Sequence, residues 1–232
     1  MPIIALNNQE HKQLRVRPPS SFEYLANVHM LPLVIPECGH AGNDYPVVFI
    51  KKEETEQFQP VAIFGLAPGE NLFVNEGQWQ GLYMPAIIQH DPFKLIGDSK
   101  NPDQLIIGLD MDSELVQESE GEALFDDAGN ETDYLKKRNE SLGQYFQQDR
   151  LTRTSIAALN DLELLDASDL TVTLMGQDIN IAGLYTVNEA KLDELPDEKF
   201  NELRKRGLLP LIYAQLLSMN QFHRLARLKT AA

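Results

Sequence analysis

Aromatic and polar side chains that could line a binding groove alternate along one stretch in the first half of the sequence. The residues concerned are Glu70, Asn71, Trp79, Tyr83 and His90. Flat aromatic faces beside a few convergent amide, carboxylate and imidazole groups are typical of ligand sites. These five residues are therefore the best candidate in the sequence for a site that binds a glycan or a peptide. The residue pattern by itself favours the other interpretation, an ordinary sheet core with polar turns.

The same stretch supports a second hypothesis, an enzyme acting on a small molecule through Glu70, Asn71, Tyr83 and His90. Carboxyl and imidazole groups in one pocket could transfer protons to and from a substrate. The sequence contains no nucleophile elbow, no phosphate-binding loop and no zinc-ligand spacing. No catalytic residue, metal ion or cofactor is therefore predicted, and we favour the non-catalytic function.

The compartment is predicted from cysteine usage and from apolar segments. The single cysteine, Cys38, excludes an intrachain disulfide, and we expect a structural thiol there. The N-terminal segment does not have the pattern of a secretory signal peptide. No stretch approaches the ~18 apolar residues of a spanning helix. We expect a soluble cytoplasmic protein; the alternative is the cell surface, reached without a signal peptide.

The elements that must position these residues are β-rich in the N-terminal half. Residues 45–50 and 60–66 are β-branched and aromatic runs joined by a polar link, which predicts an antiparallel hairpin. Prolines at the starts of such runs or inside them favour short, edge or bulged strands. The predicted fold class is α+β, with a curved, irregular antiparallel sheet in the N-terminal half.

The C-terminal half is predicted to hold helices and one β-hairpin. Residues 170–174 and 179–185 have the β-rich pattern of that hairpin. Thr186 and Glu189 have the spacing of a capping box, which predicts a short helix after the hairpin.

Three further helices are predicted around that hairpin. A helix in pieces is expected before it, over residues 132–165. Residues 196–207 begin with proline, carry acids in the first turn and bases in the last, and end at glycine, which indicates a second helix. One final helix is expected over residues 208–228. We predict a single domain over 1–232, with a β-rich part over about 11–125 and a helical part over about 130–232.

Charge is distributed unevenly along the 232 residues, whose formal net charge is -15. Residues 101–150 carry thirteen acids and four bases, whereas residues 201–232 carry six bases and one acid. The overall negative charge argues against general nucleic-acid binding, because the phosphate backbone would repel the protein. The opposite charges of 101–150 and 204–229 suggest a homo-oligomer held together through these segments.

Short motifs spread over most of the chain resemble the SapC family of bacterial proteins. One departure is Gln89-His90-Asp91, where the family more often has a basic pair and an aromatic residue before Pro-Phe. The motifs that carry the resemblance lie at residues 11–16, 45–49, 65–66, 69–74, 79–86, 92–93, 183–192 and 211–218.

The resemblance implies an accessory role and no catalytic residue set. The family takes its name from a surface-array protein, and its genes often lie near outer-membrane receptor genes in Gram-negative bacteria. It therefore implies a binding or assembly function linked to surface layers or to nutrient and glycan uptake. The partner would be a protein or a glycan or peptide ligand. Some members are labelled peptide-transporter permeases, which conflicts with the lack of a spanning segment here.

Overall fold

The computed structural model describes residues 3–53, 55–97, 105–174 and 176–231. These residues form two compact units. The small unit consists of the residues up to 20 and of residues 86–147, and the large unit consists of residues 21–85 and those from 148 onward. The prediction that the chain is one domain over 1–232 stays a prediction.

The described elements are β-strands, α-helices and one short 3-10 helix at Glu23–Leu25. The strands are β1 (Ile3–Ala5), β2 (Arg15–Val16), β3 (Met30–Pro32), β4 (Val47–Lys51), β5 (Phe58–Ile63), β6 (Val74–Asn75), β7 (Gln78–Trp79), β8 (Phe93–Gly97), β9 (Leu105–Asp110), β10 (Val116–Gln117), β11 (Glu122–Ala123), β12 (Leu165–Leu174) and β13 (Gln177–Val187). The helices are α1 (Ile35–Ala41), α2 (Ala86–Gln89), α3 (Asp133–Asp161), α4 (Glu189–Asp193), α5 (Asp197–Lys205), α6 (Leu209–Ser218) and α7 (Gln221–Ala231).

The large unit contains a five-stranded antiparallel sheet with the order β12-β13-β4-β5-β3. The hairpin predicted over residues 45–50 and 60–66 is confirmed, since β4 pairs with β5 in a register that places Val48 opposite Val61. The C-terminal hairpin joins this sheet where Tyr185 pairs with Phe49. Nothing local to either hairpin indicates this long-range pairing, so the sequence alone does not predict it.

The C-terminal hairpin and the fold class are confirmed, but the capping box after the hairpin is wrong. Thr186 lies in β13 opposite Asp166, so its backbone is extended and belongs to the strand. Asn188 caps α4 instead, and its side-chain oxygen accepts a hydrogen bond from the Lys191 amide at 2.9 Å. The capping side chain therefore lies two residues after the predicted one.

The predicted helices differ from the observed ones at two places. The helix expected in pieces over 132–165 is one continuous helix, α3, of 29 residues. The final helix expected over 208–228 is two helices, because the chain turns at Met219 and Asn220 between α6 and α7. The turn allows both helices to bury apolar side chains, including Ile212 and Leu225. Helix α5 follows the predicted pattern, with Pro196 at its N-cap.

The small unit contains two three-stranded antiparallel sheets, β1-β9-β8 and β10-β2-β11. Its core is a separate cluster of buried side chains that includes Phe93, Leu109, Leu124 and Leu135. Of these, Leu135 lies on α3, whose first half belongs to this unit. An apolar core of this kind holds the surrounding loops in place.

Candidate functional site

Tyr83 lies at the centre of the part of the large unit where four of the predicted site residues are found. Its backbone N–H donates to Asp44 Oδ2 at 2.7 Å, and its hydroxyl donates to Glu37 Oε1 at 2.7 Å. Its carbonyl accepts from the Tyr45 hydroxyl and, at 3.3 Å, from the Trp79 indole N–H. Every polar group of Tyr83 is therefore engaged, so the loop that carries it is held in one conformation.

The partner of the Tyr83 hydroxyl is the buried carboxylate of Glu37 on α1. Its other oxygen accepts from the Val34 amide at 3.0 Å, which closes the first turn of the helix. Burial and the hydrogen bond to Glu37 both raise the pKa of Tyr83 above its ordinary value. The phenol is therefore protonated at neutral pH and acts as a hydrogen-bond donor. The exposed ring of His40 stacks on Tyr83, with centroids 5.8 Å apart.

Asp44 ties α7 to the same loop. Its carboxylate is almost wholly buried and forms an ion pair with Arg224. The Arg224 guanidinium lies over the Phe73 ring, 5.1 Å from its centroid. A buried carboxylate with a paired base and a backbone donor is fully satisfied, so Asp44 serves to position Tyr83.

Glu70 and Asn71 shape the backbone of the preceding turn. Glu70 accepts from the Leu66 amide at 3.0 Å and pairs with Lys229. The Asn71 amide donates to the carbonyl of Leu25 at 3.0 Å, and its oxygen accepts from the backbone of Phe73 at 2.9 Å. Both side chains thus form hydrogen bonds that stabilise the loop.

Trp79 packs within an aromatic cluster. Its ring centroid lies 5.3 Å from Phe64 and 6.2 Å from Tyr45, both edge-on, and 6.4 Å from Phe73. Such edge contacts add to the free energy gained from burial. The indole is only partly exposed, so most of its surface serves this cluster.

His90, the fifth predicted residue, belongs to the small unit. It is 8% exposed, and its Nδ1 has no hydrogen-bond partner among the described residues. Its ring contacts Tyr145, with centroids 5.1 Å apart. Burial, together with the charges of Arg138 and Lys94, lowers the pKa of His90. Four predicted residues therefore lie around one loop and His90 lies in the other unit; that all five bind one ligand stays a prediction.

Three residues that organise this region were not among the predicted ones. Glu37 and Asp44 are 46 and 39 residues from Tyr83 in the sequence, and His40 lies between them on α1. No local pattern indicates such long-range partners. The one signal in the sequence is the cluster of polar residues around Cys38, which includes Glu37, His40 and Asp44.

Cys38 itself is buried on α1. Its thiol lies 3.5 Å from the Val34 carbonyl, and burial raises its pKa to about 12. A thiol that stays protonated at neutral pH is a poor nucleophile. This agrees with the structural role expected for Cys38.

Leu82 projects from the fixed loop into solvent. Its side chain is 93% exposed, although the residues around it are anchored. The neighbouring Gly81 passes so close to two aromatic side chains that an added Cβ would overlap the Tyr45 hydroxyl. The fold therefore holds a large apolar side chain outward on a rigid loop, next in the chain to Tyr83, whose ring stacks with His40.

No cluster of three or more His, Cys, Asp or Glu residues suited to a metal ion occurs in the described part of the chain. Among the helices of the described ranges, none combines the length and the apolar character needed to cross a membrane.

The SapC family model matches residues 6–225 of the 232-residue chain. No curated protein and no solved structure matches the chain. The match covers nearly all of the chain and confirms the resemblance carried by the short motifs. The chain therefore belongs to the SapC family.

Proposed function

We propose that this protein is a non-catalytic binding protein, and that its partner is a peptide segment of another protein that contacts Leu82, His40 and Tyr83. The observation that carries the proposal is the 93% exposure of Leu82 on a loop whose neighbouring residues are held by hydrogen bonds. A lone exposed leucine on a flexible loop would not indicate a binding surface, because single apolar residues are common on protein surfaces.

Rigidity is what makes this loop suited to binding. A contact that is ordered before binding loses little conformational entropy when the partner arrives. Apolar anchors surrounded by polar groups contribute most of the free energy in many interfaces. Here Leu82 supplies the anchor, the exposed His40 ring supplies a donor and a flat face, and Tyr83 supports His40 from beneath.

The carboxylates nearest to this surface favour binding over catalysis. Glu37, Asp44 and Glu70 each accept a backbone amide, and Asp44 and Glu70 also form ion pairs. The Tyr83 phenol is held protonated by burial and by Glu37. A general acid or base must exchange protons with the substrate, and these groups are already committed to the fold.

The family suggests a setting for the proposed binding. A few SapC proteins are linked to surface layers by name, and we include in the proposal an accessory role in surface-layer assembly or in outer-membrane uptake. A peptide segment of an envelope protein is the partner that fits a small apolar anchor with polar surroundings. A glycan is the alternative ligand, and the experiment separates the two.

The experiment selects peptides from a displayed random library against the full chain and measures their Kd by calorimetry. We expect Leu82→Ser to weaken the selected peptides at least about tenfold, equivalent to ~1.4 kcal/mol. His40→Ala is expected to weaken them by a smaller factor. Leu217→Ser is the matched control, since Leu217 is also a leucine of the large unit and is 70% exposed; it should bind as the wild type does.

Two results would count against the proposal. Peptides that bind Leu82→Ser as tightly as the wild type would show that this loop is not the contact. Binding to a glycan array that Leu82→Ser abolishes, with no enriched peptide, would support the glycan instead. Thermal melts of each variant verify folding, which exposed substitutions of this kind rarely disturb.

A further inference from the structure

A cleft of about 410 Å³ opens in the small unit, at the end of its β1-β9-β8 sheet. It lies between the N-terminal turn after β1, the loop before α3 and the second turn of α3 itself. This volume falls in the range of small-molecule sites. It was not among the sites predicted from the sequence.

The walls of the cleft are fixed to one another by hydrogen bonds. The Leu6 amide donates to the Ile107 carbonyl at 2.9 Å, which continues the pairing of β1 with β9. The Asn8 side-chain amide donates to the Gly129 carbonyl at 2.9 Å and so joins the N-terminal turn to the loop before α3. A cleft held in this way exists before any ligand arrives, which lowers the entropy cost of binding.

Two polar residues of this cleft have side chains without partners. Glu131 and Asn139 line the cleft and are exposed to solvent, and neither side chain has a hydrogen-bond or ion-pair partner among the described residues. Asn8 uses its amide group on Gly129 and keeps its side-chain oxygen as an acceptor. Asn7 also lines the cleft, and its side-chain oxygen accepts from the backbone amides of Gln9 and Glu10. The cleft thus offers one carboxylate and three amide side chains to a ligand.

The other residues that line the cleft are apolar except for Asn7 and Gly129. Leu6, Ile106, Ile107 and Phe125 contribute the apolar surface, and no Lys, Arg or His is among the described residues that line the cleft, so Glu131 supplies its charge. An anionic ligand would meet the Glu131 carboxylate with no base to pair with, whereas a cation would gain from it. Hydroxyl groups of a ligand would form hydrogen bonds with the amide side chains, and a ligand face made of C–H groups would pack against the apolar side chains.

We infer that this cleft binds a small cationic molecule that carries hydroxyl groups, for which an amino sugar is the simplest example. Glu131 would pair with the ammonium group, and Asn8 and Asn139 would form hydrogen bonds with hydroxyl groups. The inference is independent of the peptide surface proposed above, because the residues belong to the other unit and the ligand belongs to another chemical class.

The test titrates the full chain with glucosamine, glucose and glucuronate, by calorimetry and by thermal shift. We expect glucosamine to bind most tightly, glucose less tightly and glucuronate least. Glu131→Gln should weaken glucosamine at least about fivefold and leave glucose nearly unchanged, because it removes the charge and keeps the shape. Asn139→Ala should weaken both sugars. Glu140→Gln is the matched control, since Glu140 is exposed on α3 and does not line the cleft.

The inference is overturned if none of the three compounds binds the wild-type chain at saturating concentration. It is also overturned if Glu131→Gln and Asn139→Ala bind glucosamine as the wild type does, which would place the contact elsewhere. Equal binding of glucose and glucosamine would overturn the preference for a cation. None of these outcomes depends on the Leu82 surface, so a failure here leaves that proposal intact, and the converse holds as well.

Discussion

At the scale of single residues, Gly81 is the position on which the Tyr83 loop depends most directly. A Cβ at this position would overlap the Tyr45 hydroxyl and lie 2.8 Å from Trp79 Nε1. Both atoms already donate to the Tyr83 carbonyl and cannot move aside without breaking those bonds. We expect Gly81→Ala to lower the free energy of unfolding by about 1–3 kcal/mol, as overpacking does. Urea denaturation measures this loss.

The control for that substitution is Gly39→Ala. Gly39 lies in α1, and a Cβ there would meet nothing within 4 Å. Alanine favours the helix by up to about 1 kcal/mol over glycine, so this variant should be as stable as the wild type or more so. Equal stability of Gly81→Ala and Gly39→Ala would contradict the close packing described for the loop.

His90 should make stability depend on pH. Its pKa is lowered in the folded chain, chiefly by burial, from an ordinary value of 6.5. As the pH falls below ~6.5, the unfolded chain therefore takes up a proton that the folded chain does not, and the free energy of unfolding decreases. His90→Gln should reduce this loss between pH 8 and acidic pH, measured by urea denaturation. An unchanged loss in this variant would refute the assignment.

The exposed histidine of α7, His223, is the control for this measurement. His223→Gln changes the same residue type at a surface position and should leave the pH dependence nearly as it is in the wild type. The comparison of the two variants therefore separates the effect of the buried His90 ring from the effect of removing any one histidine.

Residue-scale prediction from the sequence found the right loop but not its partners. The aromatic and polar residues between Glu70 and Tyr83 do lie around one loop of the large unit. Their hydrogen bonds, however, run to Leu25, Glu37 and Asp44, which the sequence places far away. Polar side chains that look available for a ligand in the sequence can therefore already form hydrogen bonds with residues far away in the chain. These hydrogen bonds become visible only in the folded structure.

At the scale of elements, the start of α4 is where the observed cap, Asn188, differs from the predicted cap, Thr186. The Asn188 oxygen accepts from Lys191, and its amide donates to Asp166 at 2.7 Å. We expect Asn188→Ala to cost about 1 kcal/mol or more of stability, because a cap and a hydrogen bond to a carboxylate are both lost. Thr186→Ala should cost less, since Thr186 lies within the strand. Thermal denaturation of the two variants decides between the caps.

The C-terminal helices show why element boundaries escape sequence reasoning. Apolar residues continue at helical spacing through Met219 and Asn220, with neither glycine nor proline to end a helix. The chain nevertheless turns there, and the amides of Phe222 and His223 bond to carbonyls three residues back. The turn allows α7 to direct Arg224 at Asp44. Tertiary contacts, which propensity does not include, therefore determine the boundary.

At the scale of the whole molecule, the net charge of -15 combines regions of opposite sign. Glu118, Glu120 and Glu122 are exposed near β10 and β11, and Lys205 and Arg227 are exposed on the C-terminal helices. Neither base has an ion-pair partner among the described residues. Exposed charges of opposite sign on different segments favour contact between copies of a chain, while the overall charge opposes it.

We therefore expect weak self-association that depends on salt. The Debye length shortens from about 10 Å at 0.1 M salt to about 3 Å at 1 M, so a contact between acidic and basic segments should weaken as salt rises. Sedimentation velocity at increasing protein concentration should show a dimer at moderate salt and a monomer at high salt. Arg227→Glu and Lys205→Glu should each reduce the dimer. Lys137→Glu changes the net charge equally but lies in the acidic segment, so the dimer should persist. A monomer at every concentration, or a dimer indifferent to salt and to these variants, would contradict association through charge.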